Sequence, residues 1–177
     1  MKLYQLVFYN FYSIILPVGG IMRIIRLEDS ENEIFETICN WYYNWLGKKN
    51  KESFEEVKWT FKHSLNKDKL PQTYVALIDD LPVGMYQIAM ADDLYSRPDL
   101  YPWLINVYVD KNYRGQKICR ELMKTVNENA KKAGLKELYL YTKHVGLYEK
   151  FGWEFIEEVP TFKEYSSFER LYKLQIK

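Results

Sequence analysis

The 177-residue sequence has few of the residues on which several classes of protein depend. It contains only two cysteines, Cys39 and Cys119, and two histidines, His63 and His144. Two cysteines so far apart exclude a disulfide framework and a cysteine-rich zinc site, and two isolated histidines exclude a histidine-rich metal site. We therefore expect no bound metal, and a reducing cytoplasm as the compartment.

The sequence also lacks an excess of either sign of charge. Its 25 lysines and arginines balance 24 aspartates and glutamates, which leaves a net charge of +1. This balance gives no electrostatic basis for binding nucleic acid or an anionic membrane, so neither is expected as a partner. Apolar residues make up 47% of the chain, which excludes a disordered protein and suits one domain with its own core.

The first 21 residues lack the features of a signal peptide or a spanning helix. The apolar stretch from Leu3 to Leu16 ends at Pro17, short of the roughly 20 apolar residues that a spanning helix needs. It has neither a strongly basic start nor a small-residue cleavage site. A strand pattern begins at Met22, so we expect Met22 to be the natural start and residues 22–177 to form the domain. The alternative is that residues 1–21 are an N-terminal anchor or packing segment.

The most informative stretch runs from residue 102 to residue 119, with the sequence PWLINVYVDKNYRGQKIC. Its apolar, β-branched run from Leu104 to Val109 predicts a strand that is buried on both faces. A turn, the pair Arg114-Gly115 and a helical pattern follow. Free N–H groups at the start of a helix bind anions. This order therefore predicts a site for a phosphate-bearing ligand.

The remaining patterns predict alternating helices and strands. Capping boxes at Ser30 and Ser53 begin two helices, the first of which ends at Gly47. Gly84 marks a bend or bulge in a strand, and Thr142 caps a short helix. The predicted strands cover residues 22–27, 74–78, 81–90, 104–109, 138–141, 153–159 and 167–176, and the later helices cover residues 118–133 and about 144–151.

This order of elements, with NVYVDKNYRGQKI and HVGLYEKFGWEFIE, resembles the GNAT superfamily of N-acetyltransferases from about Met22 onward. The resemblance implies an α/β fold with a mixed, mostly antiparallel sheet of six to seven strands. That sheet is splayed at its central strands and flanked by about four helices. It also implies an acyltransferase that moves the acetyl group of acetyl-CoA to a primary amine of a small molecule or a peptide. The acceptor itself is not specified by the sequence.

The same resemblance assigns roles to individual residues. Tyr148 is the general acid that protonates the departing CoA thiolate. The strand residues 107–109 pair with the pantetheine arm of the cofactor, and the pyrophosphate lies on residues 114–119. The cofactor-binding residues implied in this way are Val107, Tyr108, Val109, Arg114, Gly115, Gln116, Lys117, Ile118, Cys119 and Thr142.

Two positions depart from the family pattern. Lys117 stands where the family has a glycine, and Cys119 stands where it has a small residue. The lysine either crowds the phosphates or binds them with its ammonium group. These departures leave open an alternative function, a catalytically weak or inactive GNAT-fold module that binds CoA or regulates another process.

The acceptor side is less defined. The resemblance places the aromatic residues of the first helix, Trp41, Tyr42 and Trp45, on one wall of the acceptor cleft, although their stripe also suits the core. Asp92, Asp93 and Asp99 precede the central strand, and Asn106 lies within it. All four are interpreted as structural or solvated, so no general base is assigned. A monomer and a homodimer both remain open.

Overall fold

The computed structural model describes residues 14–15, 21–161 and 164–177. Most of the predicted N-terminal extension, residues 1–21, lies outside the described residues, and the predicted start at Met22 stays a prediction. Within the described ranges, no helix is long and apolar enough to cross a membrane.

One open mixed sheet organises the chain, with the strand order β1-β2-β3-β4-β5-β6-β8-β7. Neighbouring strands are antiparallel except for β5 and β6, which run parallel. Seven strands of six residues or more, with a two-residue β1, confirm the expected fold class. The strands are β1 (Ile14–Ile15), β2 (Ile21–Arg26), β3 (Gln72–Ile78), β4 (Leu81–Ala89), β5 (Trp103–Val109), β6 (Glu137–Thr142), β7 (Glu154–Thr161) and β8 (Glu164–Gln175).

Helices cover both faces of the sheet. One face packs against Phe35 and Ile38 of the first helix and Val57 and Phe61 of the third, and the other packs against the apolar side of the fourth helix. The helices are α1 (Glu33–Tyr42), α2 (Lys48–Asn50), α3 (Phe54–Lys62) and α4 (Ile118–Lys132), with a π-helical turn at Tyr43–Gly47 and 3-10 turns at Lys111–Tyr113 and Tyr148–Phe151.

The boundaries of the first helix differ from the prediction. Its cap is Asn32, whose Oδ1 accepts a hydrogen bond from the Phe35 amide at 2.9 Å, and the predicted capping box at Ser30 is wrong. The predicted end at Gly47 is also wrong, because the π-helical turn leads directly into α2. The backbone leaves the helical conformation at Lys51, which has φ +62°. Gly47 serves close packing instead, since a Cβ there would lie 3.1 Å from the Tyr43 ring.

Two other local predictions hold, and a third holds in part. Ser53 and Glu56 form the capping box of α3, with the Ser53 amide donating to Glu56 at 2.7 Å. The β3–β4 register shifts beside Gly84, as the predicted bulge requires. The short helix is less extensive than predicted: Thr142 accepts a hydrogen bond from the His144 amide, but only the 3-10 turn from Tyr148 to Phe151 is helical.

The two central strands separate almost as soon as they meet. Strands β5 and β6 share a single ladder pair, Trp103 with Tyr139. Beyond that pair β5 is paired only with β4, and β6 only with β8. We call the opening between the two strands the seam. It gives the splayed sheet that was expected.

Candidate active site

The seam leaves one edge of β5 without a strand partner within the described part of the chain. From Ile105 onward this strand pairs with β4 alone. Two of its residues, Asn106 and Val107, lie opposite the single residue Tyr86, because Gln87 pairs with Ile105 and Met85 with Tyr108. This is a β-bulge, and it twists the strand away from its neighbour. Backbone N–H and C=O groups on the free edge can therefore pair with an extended ligand.

A loop with two left-handed residues joins β5 to α4, and we call its residues 114–117 the phosphate loop, after the ligand predicted to bind there. Gly115 has φ +80° with open space around its Cβ position, and Lys117 has φ +66°. In the described residues no backbone acceptor reaches the amides of Ile118 and Cys119, the first two residues of α4. Such free amides at a helix start, next to a loop that exposes its backbone, form an anion site. The predicted phosphate position, residues 114–119, includes this loop and these amides.

The two departures from the family pattern have clear local settings. Lys117 occupies the N-cap of α4 in a left-handed conformation, which glycine adopts more readily than lysine. Its side chain is exposed beside the loop. Cys119 is half-buried, and burial raises the pKa of its thiol, so it is poorly suited to act as a thiolate.

Arg114 folds back over the strand that precedes it. Its Nε donates to the Val109 carbonyl at 3.1 Å, and its guanidinium lies 5.9 Å from the centre of the Tyr108 ring. The charge therefore sits at the junction of the free strand edge and the phosphate loop. Thr142, by contrast, ends β6 on the other side of the seam, and its hydroxyl is engaged with the His144 amide.

Tyr148 lies where the seam meets α4. It begins the 3-10 turn after β6 and belongs to the hydrophobic cluster that also contains Ile118, against which Val107, Val109 and Cys119 pack. Only 7% of Tyr148 is exposed, and its hydroxyl has no hydrogen-bond partner among the described residues. Burial raises the pKa of the phenol, with a smaller contribution from the nearby Cys119. The group is therefore protonated at neutral pH and available as a proton donor.

The opposite face of β5 carries an aromatic wall. The Tyr108 ring centre lies 5.2 Å from Trp41 and 5.5 Å from Trp45, so both predicted wall residues of α1 and the following π-helical turn reach β5. Tyr42 instead packs edge-on against Phe61. The aromatic wall therefore packs α1 and the π-helical turn against one face of β5, the strand whose free edge borders the seam.

Two carboxylates lie within electrostatic range of Tyr42. Asp92 and Asp93 follow β4, and the Tyr141 hydroxyl at the end of β6 donates to Asp93. Burial, with the charges of Asp93 and Glu169, raises the pKa of Asp92 to about 7, against the opposing hydrogen bond from the Asp93 amide. A carboxyl group that titrates near neutral pH can accept a proton during a reaction.

The structure separates three aspartates that sequence reasoning had treated alike. Asp99 forms an ion pair with Arg97, whose Nη2 lies 2.8 Å away, and this lowers its pKa. Asp92 is half-buried and forms no ion pair among the described residues. This setting of Asp92 depends on burial and on the charges of Asp93 and Glu169, the second of which is remote in the sequence. No local sequence signal marks it.

Comparison with protein families identifies the architecture. The family model described as acetyltransferase (GNAT) family matches residues 32–153, which include β5, the phosphate loop and Tyr148. No curated protein sequence matches the chain at a significant level.

Three solved structures illustrate the shared fold. An aminoglycoside 6'-N-acetyltransferase complexed with coenzyme A has a TM-score of 0.67 at 13% identity, covering 87% of this chain and 97% of that one. An acetyltransferase from Salmonella typhimurium that modifies the N-terminal serine of ribosomal protein L7/L12 has a TM-score of 0.66 at 10% identity, covering 92% and 99%. A GNAT family acetyltransferase from Elizabethkingia anophelis with acetyl-CoA bound has a TM-score of 0.60 at 16% identity, covering 87% and 97%.

Proposed function

Because this chain belongs to the acetyltransferase (GNAT) family, we propose that it transfers the acetyl group of acetyl-CoA directly to a primary amine of a small molecule or a peptide. The observation that carries the proposal is the free edge of β5 leading straight into the amides at the start of α4. An extended arm with amides and a pyrophosphate group needs these two features in this order.

The cofactor is held in three places. The pantetheine arm pairs with the backbone of residues 107–109 along the seam, and the pyrophosphate lies on residues 114–119. Val107 and Val109 form part of the apolar floor on the α4 side. Thr142, on the opposite side of the seam, is assigned a polar contact with the arm. Structural neighbours that were solved with CoA or acetyl-CoA bound support the identity of the cofactor.

Tyr148 supplies a proton to the leaving group. The amine nitrogen attacks the thioester carbonyl carbon, the carbon–sulfur bond breaks, and its electron pair stays on sulfur. The Tyr148 hydroxyl then protonates the CoA thiolate. Backbone N–H groups on the free edge of β5 steady the oxyanion of the tetrahedral intermediate.

Asp92 accepts the proton that the attacking amine loses, directly or through one water. Its pKa of about 7 keeps a substantial fraction ionised at neutral pH while leaving it basic enough to accept a proton. The neighbouring charges of Asp93 and Glu169 attract an ammonium group before it is deprotonated. With these carboxylates close together, the acceptor side suits a cationic amine.

Binding of acetyl-CoA, measured by calorimetry, tests the proposal. The wild-type protein is expected to bind with micromolar affinity, and Gly115→Trp is expected to lose binding because the indole fills the phosphate loop. Gly134→Trp is the matched control: Gly134 also has a positive φ, +73°, with open space around it, but follows the far end of α4. It should bind like the wild type.

Turnover is measured next with a panel of amines and a thiol reagent that detects released CoA. Absence of binding at millimolar acetyl-CoA overturns the proposal and favours the alternative, a GNAT-fold module without transferase activity. Equal loss in both glycine variants would refute the assignment of the phosphate loop.

A further inference from the structure

We infer that Asn106 and Gln87 are positioning residues that hold the β5 bulge in the conformation acetyl-CoA requires, an inference that rests on the proposed function. The observation is a chain of hydrogen bonds through the core. It runs from the bulge across β4 and β3 to the loop after α3. The face of the sheet around it is otherwise filled by apolar side chains.

Every hydrogen bond in this series is short. Asn106 Nδ2 donates to Gln87 Oε1 at 2.7 Å. Gln87 Nε2 donates to Thr73 Oγ1 at 2.7 Å and to Ser64 Oγ at 3.0 Å. The Ser64 hydroxyl donates to the Phe61 carbonyl at 2.7 Å and lies 2.5 Å from Thr73 Oγ1.

Only one arrangement of donors and acceptors is consistent along this chain of hydrogen bonds. A carbonyl can only accept, so the hydroxyl proton of Ser64 points to Phe61, and the Thr73 hydroxyl must donate to Ser64. The two protons of the Gln87 amide then point to the hydroxyls, which turns Oε1 towards Asn106. The bulge position therefore requires a side chain that donates. Asparagine also tolerates the left-handed conformation that this residue adopts, with φ +53°.

Because these side chains are buried, a reversed donor or acceptor would stay unpaired. Ser64, Thr73 and Gln87 are at most 4% exposed, so water cannot replace a lost partner. The bulge is where the extra residue of β5 is inserted. Backbone N–H and C=O groups point alternately to the two edges of a strand. The inserted residue therefore determines which of the later amides point into the seam. Holding Asn106 in place therefore determines which backbone groups of β5 can pair with pantetheine.

Asn106→Asp tests the inference with a substitution of the same shape. A carboxylate tolerates the same backbone conformation but sets an acceptor against Gln87 Oε1. Two probes are titrated: acetyl-CoA, and its nucleotide half, adenosine 3'-phosphate 5'-diphosphate, which reaches only the phosphate loop. We expect affinity for acetyl-CoA to fall at least about tenfold, a change of about 1.4 kcal/mol. Affinity for the nucleotide half should stay within twofold.

Two further variants keep the test decisive. Thr125→Val removes a buried hydrogen bond from the Tyr86 hydroxyl on the α4 side and controls for general destabilisation. It should lower the melting temperature without changing the ratio of the two affinities. If Asn106→Asp does not fold, Asn106→Gly is used, which keeps the backbone conformation but has no donor.

The outcomes separate this inference from the function on which it rests. An unchanged affinity ratio in a folded Asn106 variant refutes the positioning role, even if acetyl-CoA binds well. A parallel loss of both probes also refutes it, because the effect is then not confined to the seam. A wild-type protein that binds neither probe refutes the proposed function instead.

Discussion

Removing the Tyr148 hydroxyl should lower the rate of catalysis without lowering the stability of the fold. The ring packs against Trp153 and Tyr172, with centres 6.0 Å and 6.1 Å away, and phenylalanine keeps those contacts. The hydroxyl itself has no partner among the described residues, so no hydrogen bond there is broken. We expect Tyr148→Phe to leave the melting temperature and the affinity for acetyl-CoA nearly unchanged.

The loss should appear in turnover. A positioned general acid contributes typically 10²–10⁴-fold, so kcat should fall by roughly 100-fold or more while the KM for acetyl-CoA changes little. Because burial raises the pKa of this phenol, the wild-type rate should show no loss of the acid below about pH 10. The assay is CoA release under saturating acetyl-CoA, followed from pH 6 to 10.

Tyr172→Phe is the matched control, since it deletes the same atom nearby. The Tyr172 hydroxyl donates to Glu149 at 2.7 Å and accepts from Arg170 at 2.8 Å, so its loss should lower the melting temperature. Its kcat should remain close to that of the wild type. A Tyr148→Phe enzyme that keeps kcat within threefold would refute the general-acid role, and so would an equal loss of kcat in Tyr172→Phe.

Asp92 and Lys117 provide the remaining predictions. The rate should rise with pH through about 7, because only the ionised Asp92 accepts a proton, and Asp92→Asn should lose that limb of the kcat/KM profile. A folded-state pKa above the unfolded value means that the ionised Asp92 destabilises the fold, and the cost grows as pH rises from about 4 to 7. Asp92→Asn should therefore raise the melting temperature at pH 8 but not at pH 4; a variant that loses stability at pH 8 contradicts this. Lys117→Gln keeps the left-handed backbone but removes the charge, and we expect three- to fivefold weaker acetyl-CoA binding at low salt and no difference at high salt. Calorimetry at two ionic strengths checks this, and unchanged or tighter binding at low salt would show that the ammonium does not contact the phosphates.

Much of the fold could be read from the sequence because its signals are local. The β-branched run of β5, the Arg-Gly turn and the apolar face of α4 each specify their own element. The capping box at Ser53 was found for the same reason. At Ser30 an identical pattern was misleading, since Asn32, two residues later, offers a competing cap.

The helix ends were harder because glycine has two uses. Gly47 looked like a stop, but it lies inside a π-helical turn where a Cβ would meet Tyr43 and Val57. The actual end is Lys51, a residue with no intrinsic preference for the left-handed conformation it adopts. Tertiary packing, which the sequence pattern does not display, accounts for the glycine at position 47.

The residues of the candidate site form the same two groups: some belong to local sequence patterns, and others depend on tertiary structure. The phosphate loop and Tyr148 are contiguous with recognisable patterns. Asp92 acquires its properties from burial and from Glu169, and the Asn106–Gln87 contact joins two strands. Both depend on distances between segments remote in the sequence. Such positions become visible only when the chain is folded.

The single ladder pair between β5 and β6 also has a thermodynamic consequence. Few backbone hydrogen bonds join the sheet across the seam, so amides along it should exchange early with solvent. A co-substrate that pairs with β5 then becomes a structural element of the sheet. At a concentration 100 times its Kd such a ligand adds about 2.7 kcal/mol to the free energy of unfolding. Under the proposed function, acetyl-CoA would thus raise the free energy of unfolding of the enzyme as well as supply its acetyl group.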